Sequence, residues 1–247
     1  MAAAYQQRHQ IADTDIALVA VKAHDHAGSN PNAHLRNQVT IEDVLSSPLL
    51  ATPLRVGMVC PVSSSATALL FTSERRAHDL RNPIVRVRAI GSSADTGRVS
   101  GRQDVGAMYS LALLAERVFA KAGITRPRED LDVAEIFSPY APFELMQYEA
   151  LGLCGPGRAG DLLRSGATRV GGDLPVNVSG GPLCSNAGVA AELAPFGYVA
   201  LQLMGQALGE QVDGARRGIA HSMGSTWFMS NVLGVLERDP QDRSKED

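Results

Sequence analysis

The sequence predicts an α/β fold, and three observations carry that expectation. Strand-like segments alternate with amphipathic helical ones from about residue 80 to residue 240. Glycines stand where two of the helical patterns stop, at Gly123 and Gly152. The composition is that of an ordinary globular chain, 45% hydrophobic and 20% charged over 247 residues.

Taken in order, residues 14–27 (TDIALVAVKAHDHA) place Ile16, Leu18, Val19 and Ala23 near one face, which predicts a helix capped by Thr14. Pro31 and Asn32 then form a turn. Thr40 is placed to cap a second, short helix beginning TIED, and Pro48 and Pro53 punctuate its end. Residues 1–55 thus read as a loose, polar, helical region with little core of its own. Residues 56–73 (VGMVCPVSSSATALLFTS) are small and apolar with serines at the centre. They predict a buried strand or helix start, a tight turn and a second strand.

The pattern then becomes regular. IVRVRAI (84–90) alternates as a strand does. Residues 106–123 form an amphipathic helix with Leu111, Leu114, Ala115 and Val118 on one face and Gly123 as its cap. LDVAEIF (131–137) is a strand, and FELMQYEALG (143–152) a helix stopped by glycine. LPVNVSGGPL (174–183) leads to a long helix of small residues over about 188–208, with Pro195 in its first turns. GARRGIAHSMG (214–224) predicts a strand and a turn, SNVLGVLER (230–238) a last strand, and DPQDRSKED a frayed polar tail. The expected division is a helical remnant over 1–55, a closing segment over 56–80, an α/β domain over 81–240 and a tail over 241–247.

The net charge is -3, with basic residues scattered rather than clustered, which argues against nucleic acid as a partner. No apolar run approaches the roughly 20 residues that span a bilayer. The start, MAAAYQQRHQIADTD, lacks the apolar stretch of a secretory signal. Cys60, Cys154 and Cys184 are odd in number and far apart, so neither a disulfide framework nor a metal site is expected, and a reducing cytoplasm fits.

Four segments, in order, resemble the thiolase superfamily. PVSSSATALLFTS resembles the stretch closing the family's N-terminal half. DVAEIFSPYAPFEL resembles its Ala-Glu-Ile-Asn-Glu-Ala-Phe-Ala strand-to-helix turn. VNVSGGPLCSNAGVAAEL resembles its Gly-Gly…Gly-His-Pro loop and helix. GIAHSMGSTWFMSNVLGVLER resembles its Cys-x-Gly turn and last strand. Residues 14–60 also resemble the sterol-carrier-protein type and its bacterial lipid-transfer relatives. The resemblance implies a thiolase-like layered βαβ fold with the C-terminal half complete and the N-terminal half truncated.

It also implies acyl-CoA chemistry, with a coenzyme A thioester as substrate and no other cofactor. A thiolase needs an activated cysteine, donors for an oxyanion and a base for a carbon-bound proton. The resemblance puts Phe137 at the polar residue of the first turn, Ala187 at the histidine of the Gly-His-Pro loop, and Ser222 at the cysteine of the last turn. None of the three cysteines falls on the acylated one. Standard cysteine-based catalysis is therefore not expected from this chain alone.

The polar groups left nearby are candidates. His221, Cys184 and Ser222 are the catalytic candidates, His221 first because imidazole transfers protons near neutral pH. Asn186, Gly180, Gly181, Glu135 and Tyr140 are candidates for substrate binding. Each has a plainer reading: Cys184 as a packing thiol, His221 as a structural histidine, Asn186 as a helix cap, Glu135 as a backbone ligand, Tyr140 as core, and the two glycines as a tight turn. Three functions follow: a thiolase-like acyltransferase with a degenerate site, a non-catalytic subunit or retro-aldolase component, and a simple lipid binder. The expected partners are acyl-CoA and either a second copy or an OB-fold protein of the kind that accompanies the retro-aldolases of steroid side-chain breakdown.

Overall fold

Four strands form the central sheet of the computed structural model, which describes residues 1–77, 79, 83–224 and 228–239. Before that sheet the chain forms α1 (Ala2–His9), α2 (Asp13–Ala27) and α3 (Ile41–Ser46), a small antiparallel pair β1 (Leu49–Ala51) and β2 (Leu54–Arg55), and the short α4 (Glu74–Ala77). Next come β3 (Val85–Ala94), α5 (Tyr109–Ala122), α6 (Pro127–Asp130), β4 (Val133–Ile136), α7 (Ala141–Ala150), α8 (Ala159–Arg164), α9 (Gly181–Cys184), α10 (Ala194–Met204), β5 (Arg217–Gly224) and β6 (Ser230–Arg238). The sheet order is β3-β6-β5-β4, parallel between β4 and β5 and antiparallel elsewhere.

Alternation along the strands sends successive side chains to opposite faces. One face packs Ala134, Ile219, Leu233 and Val235 with Leu111, Leu114 and Val118 of α5. The other packs Val133, Ala220 and Leu236 with Phe196 and Val199 of α10. Two glycines set how closely α10 approaches: a Cβ on Gly234 would lie 2.6 Å from Phe196, and one on Gly218 2.7 Å from Val199.

The strands and the helix over 106–123 form as the periodicity predicts, the helix ending at Gly123 in the left-handed region (φ 71°). Thr40 caps α3 in a reciprocal box with Asp43. Other expectations are corrected. Thr14 lies inside α2, whose cap is the extended Ala12; Asp13 and Asp15 instead place negative charge at the helix start. The helix expected over 188–208 begins as a 3-10 segment, Gly188–Leu193, and becomes α-helical only at Ala194, with Pro195 in its first turn and left-handed Gly205 at its end. Residues 61–73 form neither strand nor helix, and Val62 and Leu70 are 95% and 90% exposed.

The early region does not stand apart. Ile16, Ala17, Val19 and Ala20 of α2 are fully buried and join the common core, because α2 packs on α7, α8 and α9. No helix among the described residues is long and apolar enough to cross a membrane. Most of the polar tail, and residues 225–227 of the turn before β6, lie outside the described residues.

Candidate functional site

The end of β4 and the loop from Asn177 to Leu193 meet at one edge of the sheet. Asn177, itself left-handed (φ 55°), accepts from the Ile136 N–H through Oδ1 at 2.8 Å. Two residues on, Ser179 donates to Glu135 from its backbone N–H (2.9 Å) and its hydroxyl (2.6 Å). Glu135 is 2% exposed, and burial pushes its carboxyl up to about 7 against the opposing pull of those hydrogen bonds. Gly180 and Gly181 both have positive φ, and a Cβ on Gly180 would lie 2.5 Å from that of Ala27. The pair thus lets the loop run close over α2.

His221 and Ser222 do not share a pocket, which corrects that expectation: neighbours on a strand point to opposite faces. His221 is fully buried on the α5 side, where Nε2 donates to Asn231 Oδ1 at 3.1 Å and Asn231 in turn donates to Ser110 of α5. Its Nδ1 is buried with no partner among the described residues. Burial holds its pKa down to about 4, so the ring is neutral at pH 7. Ser222 faces the other side and donates to the backbone carbonyl of Glu192.

The remaining candidates divide between two places. Cys184 is fully buried, with its thiol pushed up to about 12 by burial, and its carbonyl receives the N–H groups of His34 and Leu35. It is a packing thiol that also pins a loop. Asn186 lies against residues 60–63: its side-chain amide donates to the Cys60 sulfur at 3.0 Å, its carbonyl accepts from Ser63 N at 2.8 Å, and the Ser63 hydroxyl lies 2.9 Å from His34 Nδ1. Tyr140 bridges Val59 and packs edge-on against Phe143 and Phe228. Glu135 and Gly181 line a separate, larger cleft beside α10.

Sequence reasoning missed the most heavily buried polar cluster. Lys22 Nζ lies 2.6 Å from Glu144 Oε1, both side chains fully buried. Tyr148 donates to the same carboxylate at 2.5 Å, and Asn177 donates to its other oxygen at 2.7 Å. Burial lowers the Lys22 pKa while Glu144 opposes that shift. The available signal was a lysine on the apolar stripe of α2, three residues after Val19.

Around the positions of interest the backbone is tied together. Phe137 N donates to His221 O at 3.0 Å across β4 and β5, and the loop closes over them through Ser222 and Glu192. This holds a shaped recess, but Phe137 and Ala187 offer no side-chain acid, base or nucleophile there. Cys154 is pushed up to about 12 by burial, as Cys184 is.

Residues 91–238 match the family described as thiolase C-terminal domain-like. The chain is 31% identical over 212 residues to an acetyl-CoA acetyltransferase of Methanothermobacter thermautotrophicus, spanning 85% of this chain and 55% of that protein. It is 35% identical over 174 residues to 17-hydroxy-3-oxo-4-pregnene-20-carboxyl-CoA lyase of Mycobacterium tuberculosis, spanning 68% of this chain and 45% of that protein. The chain thus spans about half the length of these curated relatives. The solved Ltp2-ChsH2(DUF35) aldolase has the same fold, with a TM-score of 0.84 at 22% identity over 97% of this chain and 62% of that one. With the family match covering more than half of its residues, this chain belongs to the thiolase superfamily, through the family's C-terminal domain.

Proposed function

We propose that this chain is a thiolase-like subunit for acyl-CoA thioesters, working beside an OB-fold protein and forming no acyl-cysteine of its own. One observation carries the reading. The recess made by the β4 end, β5 and the 177–193 loop keeps its backbone ties, yet Phe137, Ala187 and Ser222 stand where the resemblance puts the family's polar residue, histidine and cysteine. A scaffold kept without its covalent machinery suits binding and positioning of a thioester more than acyl transfer. The names of two similar proteins, a CoA-thioester lyase and an aldolase solved with a DUF35 protein, support a second, narrower reading: carbon–carbon cleavage, which needs a base and a stabilised enolate but no thiol nucleophile. Acyl transfer, the activity named for the archaeal relative, requires a nucleophile that the described cysteines supply poorly.

Mass spectrometry of the chain mixed with acetyl-CoA and the DUF35 protein of the solved aldolase tests this. The expected result is a non-covalent acetyl-CoA complex under native conditions and the bare chain mass after denaturation. An acetyl adduct surviving denaturation would overturn the non-covalent reading.

A further inference from the structure

A cleft of about 1070 Å³ lies between residues 64–72 and α10, away from the recess described above. Leu69, Phe196, Leu201, Met204 and Leu236 supply much of its lining. Its ionisable groups are Glu74 and Arg86, paired with each other at 2.7 Å and partly exposed, and Glu135, which is buried. The volume and apolar character suit one medium-sized organic molecule, and a single buried polar group is the usual device for orienting it. We propose that this cleft binds an uncharged, mainly apolar molecule carrying a hydroxyl, with the hydroxyl directed to the Glu135 carboxyl.

The choice of ligand follows from the floor of the cleft. Ser179 occupies two of the acceptor positions of Glu135, and a carboxylate offers about four, so acceptor capacity remains for an incoming O–H. A ligand ending in a carboxylate would instead bring a second negative charge beside a buried one, which is disfavoured. Glu135 is ionised above about pH 7, so the discrimination is read cleanly at pH 8.5. The inference is independent of the thioester reading, because the probes below carry no coenzyme A.

The test is calorimetric titration of the full chain at pH 8.5 with 1-octanol and with octanoate. Two variants accompany it. Glu135→Gln keeps the shape and removes the charge. Gly197→Leu fills the cleft from the helix side: Gly197 is helical, and a Cβ there would sit 3.6 Å from Leu69 and 3.7 Å from Thr67, in ordinary contact. The expected result is saturable octanol binding, with octanoate roughly tenfold or more weaker. Glu135→Gln brings octanoate within about threefold of octanol, and Gly197→Leu weakens octanol at least about tenfold. Octanoate binding as tightly as octanol, octanol binding unaffected by Gly197→Leu, or no binding of either probe overturns the proposal. The last result would leave the cleft as a surface for a protein partner.

Discussion

At the scale of single residues, buried charge decides what the molecule tolerates. Lys22 and Glu144 satisfy one another inside a network that also holds Tyr148 and Asn177. Lys22→Met alone leaves the Glu144 carboxylate buried without its cation, and is expected to cost about 3–5 kcal/mol. Adding Glu144→Leu to that variant should recover part of the loss; urea denaturation of the single and double variants measures both.

Acid stability follows from three groups. His221 and His26 stay neutral in the fold down to about pH 4, whereas an unperturbed imidazole takes its proton near 6.5. Between those values the unfolded chain binds more protons, so stability falls as pH falls. Glu135 acts oppositely: its folded value of about 7 lies above the ordinary 4.5, so its contribution is full below 4.5 and is lost as pH rises through 7. Two imidazoles against one carboxyl leave a net loss on acidification of about 1.4 kcal/mol per pH unit from 6.5 to 4.5. Glu135→Gln is expected to roughly double that slope, and denaturation curves at several pH values would refute this by an unchanged slope. Little at this scale was legible in the sequence. His221 looked catalytic because its type suits proton transfer; strand parity, visible only once the register is known, turns it toward α5.

At the scale of elements, the sequence was more informative. Thr40 followed by Asp43 announced the capping box, and the Leu111–Val118 stripe announced α5. Thr40→Ala should cost about 1 kcal/mol, read as a thermal shift of a few degrees. α8 went unseen because six residues are too few to show a period. The long helix over 188–208 was drawn too long because small residues hide a break that Gly188 and Pro195 impose. Gly234→Val places side-chain atoms where Phe196 already packs, and should lower stability by about 1–3 kcal/mol through displacement of α10. A thermal midpoint equal to that of the parent chain would show that α10 does not depend on that close approach.

At the scale of the whole molecule, α2 belongs to the common core although its sequence reads as part of an appendage, because its partners α7, α8 and α9 lie more than a hundred residues away in the chain. The serine-rich stretch was expected to fold into strands and does not: no hydrogen bond among the described residues engages the backbone of residues 64–72, and Leu70 and Phe71 are exposed. Its strand-like composition had no sheet here to join. That apolar, neutral surface and the empty chemistry at Phe137, Ala187 and Ser222 agree with a subunit completed by a partner. Calorimetric titration of acetyl-CoA into the chain, alone and with the DUF35 protein of the solved aldolase, tests this most directly. The account predicts saturable one-to-one binding that tightens with the partner and weakens in Asn186→Ala; no binding heat in either condition would contradict it.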